Sequence, residues 1–156
     1  MITTAVGTGI KRVIALRMSP GEDVLLGVEK VCKDNNIKDG FILSGIGSLA
    51  SVKFFDPVVL PDKKAGYGYS EPICMDGPIE LLGLSGMICH DDKGEILLHL
   101  HYSLADKDGN AFGGHVIEGN KVLLTCDILI GEVDGIEMGR AYDKDLEVFL
   151  FAPKQK

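Results

Sequence analysis

The sequence predicts one α+β domain over residues 1–156, in which a largely antiparallel β-sheet carries one main α-helix. Three observations lead to this prediction. Several segments alternate apolar and polar residues with the two-residue period of a strand, whereas one segment alone has apolar residues at helical spacing. In addition, 20 glycines punctuate the chain, as is typical of a protein with many strand connections. With 156 residues and a hydrophobic fraction of 46%, the chain can bury one core.

The first two elements are expected within residues 3–34. Residues 3–18 are predicted to form a strand region, strongest at 13–16. Ser19, Pro20 and Glu22 then indicate a helix start, because serine caps a helix, proline suits its first position and glutamate completes a capping box. An apolar stripe follows at helical spacing, formed by Val24, Leu25, Val28, Val31 and Cys32.

Short strands are expected at residues 41–44 and 51–55, on either side of Gly45-Ile-Gly47-Ser48. Two glycines at this spacing also occur in phosphate-binding loops, but no third glycine and no helix start follow, so a tight turn is the favoured interpretation. Residues 56–78 contain four of the six prolines and are expected to be irregular. Further strands are predicted at 79–88, 97–104, 112–119, 121–130 and 145–151.

Three of the four histidines lie between residues 94 and 119. His99 and His101 share one face of a predicted strand, because side chains alternate with a period of two. If that strand pairs antiparallel with residues 112–119 about a turn at Asp108, His115 lies directly opposite His101. A bulge at Gly113-Gly114 would shift this register.

Three converging imidazoles suit zinc, whose catalytic sites commonly have three protein ligands and one open position. His99, His101 and His115 are therefore the predicted metal ligands, and binding is expected to weaken below about pH 6 as they become protonated. The alternative interpretation is three ordinary histidines on a polar face. His90, which ends a strand before the turn at residues 91–94, is the remaining histidine for a fourth ligand.

Charge argues against a self-sufficient nucleic-acid-binding protein. The net charge is −7, and the three arginines (Arg12, Arg17 and Arg140) are scattered along the chain. Weak, non-specific DNA binding is therefore the most we expect from the isolated chain. The four cysteines form no C-x-x-C pair and no apolar run is long enough to cross a bilayer, so we expect a cytoplasmic protein with reduced thiols and no membrane partner.

Four blocks of sequence follow one another in a recognisable order. They are Gly45-Ile-Gly47-Ser48-Leu49, Glu80 to Gly86, His99 to Asp106, and Gly113-Gly114-His115. Together they resemble the plants-and-prokaryotes-conserved (PPC) domain, and the resemblance covers nearly the whole chain. It implies an α+β fold on an antiparallel sheet, a homotrimer, and a potential DNA-associated or regulatory role. Plant relatives carry an Arg-Gly-Arg-Pro AT-hook, a motif that this sequence lacks.

The three histidines are also similar to the zinc ligands of acetolactate decarboxylase, which has a related fold. That similarity implies a second hypothesis, a zinc-dependent lyase or hydrolase acting on a small oxo or hydroxy acid. Glu80 is the candidate catalytic residue, and Glu118 and Arg140 are further candidates by chemistry alone. Glu118 has the opposite strand parity to His115, which counts against it. A homotrimeric zinc-binding module, with a small ligand at the metal, is favoured over an enzyme.

Overall fold

The structure, a computed structural model, describes residues 2–156. It contains one helix and ten strands, which confirms the predicted α+β class. In chain order the elements are β1 (Gly9–Met18), α1 (Val24–Asp34), β2 (Gly40–Phe55), β3 (Pro57–Val59), β4 (Tyr67–Tyr69), β5 (Ile73–His90), β6 (Ile96–Ala105), β7 (Ala111–Val116), β8 (Lys121–Asp134), β9 (Ile136–Asp143) and β10 (Val148–Gln155).

Eight of the strands form one sheet in the order β1-β8-β2-β7-β6-β5-β9-β10. β2 also pairs with β5, so that β2, β5, β6 and β7 are hydrogen bonded in a closed ring. Every strand pairing is antiparallel except a single parallel contact between His90 and Gly139. β3 and β4 form a separate hairpin between β2 and β5. The ring gives the middle of the sheet no free edge.

The core lies between α1 and the sheet. The helix buries Val24, Val28 and Cys32 and packs against β6 and β8. The strands contribute the largest fully buried side chains, which include Leu49, Leu81, Ile88, Leu100, Leu104, Ile128 and Ile130. No helix among residues 2–156 has the length and apolar character needed to cross a bilayer.

The helix begins later than the sequence predicts. Gly21 has φ +86°, in the left-handed region, so Ser19 to Glu22 form a turn and not a first helical turn. The Glu22 carboxylate still accepts a hydrogen bond from the Ser19 backbone N–H at 2.6 Å. Asp23 is the actual cap, because its Oδ1 accepts from the backbone N–H groups of Leu25 and Leu26 at 3.0 and 3.2 Å.

The second carboxylate oxygen of Asp23 ties the helix to the sheet. Oδ2 accepts hydrogen bonds from the backbone N–H groups of Gly119 and Asn120 at 2.8 and 3.0 Å, in the connection between β7 and β8. Asp23 is buried, so both oxygens are satisfied by the protein and not by water. One side chain thus sets both the start of α1 and the path of the chain into β8.

The predicted turn at Gly45-Ile-Gly47 is wrong, because β2 runs without interruption from residue 40 to 55. The glycines are required by close strand approach. A Cβ at Gly47 would lie 2.2 Å from the carbonyl oxygen of Thr125, and one at Gly45 would lie 2.7 Å from Cβ of Leu84. β2 lies between β8 and β5, so neither side has room for a side chain there.

Two further segments differ from the sequence prediction. The stretch from 56 to 78, expected to be irregular, holds the β3–β4 hairpin and the first residues of β5. Residues 136–143, where the sequence pattern predicts no element, form β9, which pairs with β10 along its whole length. Polar residues and Gly139 interrupt the apolar alternation of β9, so the two-residue period is weak there.

We predict that Asp23→Ala destabilises the protein by about 2–4 kcal/mol, because it removes a helix cap and leaves one buried and one partly buried N–H group without an acceptor. The free energy of unfolding is to be measured by urea denaturation. Asp34→Ala, at the other end of the same helix, removes only an exposed ion pair with Lys30 and is expected to cost less than about 0.5 kcal/mol. Equal losses in the two variants would contradict the assigned role of Asp23.

Candidate metal centre

The register predicted for the histidine ribbon, the two paired strands that carry His99, His101 and His115, is the one observed. β6 and β7 pair antiparallel, with His101 directly opposite His115, and no bulge interrupts the pairing at Gly113 and Gly114. His99 lies two residues before His101 on the same face of β6. One ring nitrogen from each of the three histidines lies within 4.8 Å of the other two, which is close enough for the three to hold a metal ion. β7 ends at Val116 and is thus shorter than the predicted 112–119.

Two nitrogen–nitrogen distances define the shape of this triad. His101 Nε2 lies 3.2 Å from His99 Nε2 and 3.3 Å from His115 Nδ1. Nitrogens placed about 2.0–2.1 Å from a tetrahedral zinc ion are separated by about 3.3–3.4 Å, which follows from the tetrahedral angle. The separation between the His99 and His115 nitrogens is at most 4.8 Å. The donor set and the two short distances are thus those that a tetrahedral zinc ion requires, and three protein ligands would leave one position for another ligand.

The end of β2 holds His115 from the side opposite β6. Phe55 pairs with His115, and Phe54 pairs with Val116. A Cβ at Gly114 would lie 2.6 Å from both the Phe54 ring and the Asp56 carboxylate, so only glycine permits this approach. The backbone of His115 is thus paired on both sides, with β6 and with β2.

Burial keeps two of the imidazoles neutral. The pKa of His115 falls from 6.5 to about 4, first because burial disfavours the charged form and then because of the charges of His99, His101 and Arg140. The pKa of His99 is also lowered, by burial and then by the charges of Arg140 and His101. Neutral imidazole is the form that binds a metal, so both side chains are ready to do so at neutral pH.

The predicted acids do not accompany the triad. Glu80 is exposed and lies opposite Ala105, four residues along β6 from His101, which corresponds to about 13 Å at the strand rise. Glu118 is exposed in the connection after β7. His90 is likewise elsewhere, with Nε2 at 3.2 Å from the Asp39 carboxylate and Nδ1 at 2.9 Å from the Asp91 carbonyl.

Arg140, by contrast, lies close enough for its charge to lower the pKa of both His99 and His115. Its Nη2 donates a hydrogen bond to the carbonyl oxygen of Phe149 at 2.6 Å. Its buried Nε has no hydrogen-bond partner within residues 2–156. A guanidinium that lowers the pKa of both His99 and His115 gives this region a positive character.

Sequence reasoning missed a cleft of about 710 Å³ that reaches His101 and His115. Asp56 lines it, as do aromatic side chains of β2 and of the β3–β4 hairpin. The Tyr69 ring lies 5.1 Å from the His115 ring and 5.6 Å from the Phe55 ring, measured between ring centres. The pairing of Phe55 with His115 joins segments 60 residues apart, so no local pattern in the sequence signals this cleft.

A family model of the Plants and Prokaryotes Conserved (PCC) domain, also abbreviated PPC, matches residues 6–134. The chain belongs to this family. The matched range includes the helix, β2 and the whole histidine ribbon. Two curated relatives, both named bifunctional protein GlmU and both from Synechococcus strains, are 33% and 29% identical over 125 and 135 residues. The chain spans only 18–19% of the length of these relatives, and the match covers 80% and 86% of the chain itself.

Solved structures share the PPC fold over nearly the full chain. A PPC protein from Pyrococcus horikoshii has 30% identity and a TM-score of 0.78, covering 96% of this chain and 97% of that one. A metal-containing protein from Archaeoglobus fulgidus has 25% identity and a TM-score of 0.80, covering 97% and 99%. A candidate DNA-binding protein from Bacteroides thetaiotaomicron has 19% identity and a TM-score of 0.76, covering 96% and 98%, and shows likeness of fold alone.

The lowered pKa of His115 predicts how acid affects the metal-free protein. Between pH 6.5 and about 4 the unfolded chain binds a proton at this histidine and the folded protein does not, so the free energy of unfolding decreases as the pH falls through that range. His115→Gln should flatten this dependence. Urea denaturation in the presence of a chelator measures it, and identical slopes in the wild type and His115→Gln would contradict it.

Proposed function

We propose that this PPC-domain protein is a homotrimeric zinc-binding module, with zinc held by His99, His101 and His115 and a small ligand at the open position. The observation that carries the proposal is the spacing of three imidazole nitrogens on adjacent strands, two of them 3.2 and 3.3 Å from the third. The proposal includes a potential DNA-associated or regulatory role.

The surroundings of the triad favour a metal site over the alternative that these are three ordinary histidines on a polar face. Without a metal, each histidine of the cluster disfavours the protonated form of the others. The partly buried rings of His99 and His115 also lose hydration, as the lowered pKa of each indicates. A bound cation offsets both costs, because it interacts with the lone pairs of the three clustered ring nitrogens.

We predict that the protein binds one zinc ion per chain and that His101→Ala abolishes stoichiometric binding, since His101 is the central nitrogen of the triad. Metal content after dialysis, measured by elemental analysis, is the readout. His90→Ala is the control, because His90 contacts Asp39 and Asp91 and not the triad. A wild-type protein that takes up no zinc, or a His90→Ala variant that loses it while His101→Ala keeps it, would refute the site.

A second candidate function, a zinc-dependent lyase or hydrolase, is favoured by the cleft. Asp56 lines the same cleft as His101 and His115 and replaces Glu80 as the best-placed acid. The Asp56 carboxylate can accept a proton from a ligand in the cleft. Arg140 does not line this cleft but a different one, together with His90 and Tyr142. Bound zinc would supply Lewis-acid polarisation of an oxo or hydroxy oxygen. The zinc-binding module remains the primary proposal, because the side chains that line the cleft do not include a complete set of catalytic groups.

The homotrimer is supported by an apolar patch on the face of the sheet away from α1. Val13, Ile46 and Leu129 lie on neighbouring strands β1, β2 and β8, and they are 53%, 54% and 40% exposed. A contiguous apolar patch on a sheet face is commonly covered by another subunit. Family resemblance indicates three subunits in a closed ring.

We predict a native mass of three times 16.8 kDa by light scattering. Ile46→Glu should lower the mass to that of the monomer, because it places a charge in the proposed interface. Val59→Glu, on the β3–β4 hairpin at 68% exposure, is the matched control and should leave the trimer intact. A wild-type monomer at micromolar concentration would refute the proposal.

Association with DNA would require more than one isolated chain. The net charge of −7 gives no general attraction for phosphates, and no cluster of arginines is present in the sequence. A DNA-associated role is therefore proposed to act through a partner protein or through a face assembled in the trimer. The candidate DNA-binding protein from Bacteroides thetaiotaomicron shares the fold of this chain, and this likeness of fold motivates the proposed role.

A further inference from the structure

The cleft beside the triad has a chemical character that the metal alone does not explain. Its apolar lining comes from Phe55, Pro57, Tyr67, Tyr69, Leu146 and Val148, and its polar side chains are Asp56, His101 and His115. At about 710 Å³ it falls within the volume range of small-molecule sites. The cleft therefore has an aromatic and aliphatic surface that adjoins His101 and His115, two of the proposed metal ligands.

The walls of the cleft are held together by contacts between distant parts of the chain. The β3–β4 hairpin provides one wall, and the turn between β9 and β10 provides another. Lys64 forms an ion pair with Asp145, and Lys63 approaches Glu147 at 4.0 Å, so that the two walls are joined at their outer ends. Each pair is exposed and contributes little to stability, so the two pairs link the walls without fixing them rigidly.

The aromatic lining is continuous with the histidines. Phe55 stacks on Tyr69 at 5.6 Å, and Tyr69 in turn lies 5.1 Å from His115. Tyr67 and Leu146 leave 65% and 46% of their surface exposed, so the apolar part of the cleft is unfilled by the chain's own side chains. A planar apolar group that extends from the open metal position would cover these side chains and gain the free energy of removing them from water.

We propose that this cleft binds the apolar, preferably aromatic, part of a small molecule whose oxygen-donor head group occupies the open position of the metal. This inference rests on the proposed zinc site and specifies the class of its ligand, an aryl- or branched-alkyl-substituted acid or a similar oxygen chelator. Asp56 is the one acidic side chain of the cleft, so the part of the ligand beside it carries a hydrogen-bond donor and not a second anion.

The experiment compares two hydroxamates on the zinc-loaded protein by calorimetry. Acetohydroxamate offers the chelating head group alone, and benzohydroxamate offers the same head group with a phenyl ring. We expect benzohydroxamate to bind at least about tenfold more tightly, as burial of a ring in an apolar cleft predicts. Tyr67→Ala should reduce that ratio by about threefold or more, since Tyr67 lines the cleft without contacting the histidines.

Tyr142→Ala is the control. Tyr142 is also an exposed tyrosine, at 53%, but it lies on β9 outside the cleft and packs on Phe149, so the ratio should not change. Equal affinities of the two hydroxamates, a ratio unaffected by Tyr67→Ala, or no binding of either one to zinc-loaded protein would overturn the inference and leave the zinc site standing. Failure to load zinc would instead overturn the zinc site itself, and the inference with it.

The same variants separate a small-molecule cleft from a contact between subunits. If Tyr67→Ala lowers the native mass while Tyr142→Ala does not, a second copy of the chain occupies the cleft and the inference is overturned. An unchanged mass, together with the reduced hydroxamate ratio, supports a cleft that is open to small molecules in the assembled protein.

Discussion

The arrangement of the site depends on the hydrogen bonds of the Asn120 side chain. It is fully buried, and all four of its hydrogen-bonding positions are used. Nδ2 donates to the carbonyl oxygens of Lys53 and Ile117 at 3.0 and 2.6 Å, while Oδ1 accepts from the Lys53 N–H and the Tyr102 hydroxyl at 2.9 and 2.8 Å. These partners belong to β2, β6 and the segment after β7. One amide therefore locks together the strand ends from which the histidines and the cleft project.

Asp23 extends this network to the helix. Its carboxylate binds the backbone of Gly119 and Asn120 on one side and caps α1 on the other. A buried polar network stabilises one arrangement over others, because any shift leaves several groups without partners in a medium of low dielectric constant. The position of α1 and the position of the triad are thus coupled through two adjacent buried side chains, although the helix contributes no ligand.

The sequence predicted those parts of the site that depend on local periodicity. His99 and His101 share a face because of the two-residue period, and the Asp-Gly turn placed His115 opposite His101 without knowledge of the rest of the fold. The sequence does not predict the contacts that form when β2, β5, β6 and β7 close into a ring. The pairing of Phe55 with His115, and with it the position of Asp56, depends on β2 meeting β7 across 60 residues. Likewise, Gly45 and Gly47 resemble turn glycines locally, and only the presence of strands on both sides of β2 explains them.

Two histidines of the proposed site, His99 and His115, also differ in pKa from an isolated histidine. An ordinary histidine would lose its metal below about pH 6, but burial lowers the pKa of His99 and His115 and moves proton competition at these two ligands to lower pH. Three neutral histidine ligands would also leave the charge of a divalent ion uncompensated in partly buried surroundings. Arg140 adds to this positive potential from nearby. An anionic oxygen is therefore the head group that the open position favours most, while the aromatic cleft discriminates among the groups attached to it.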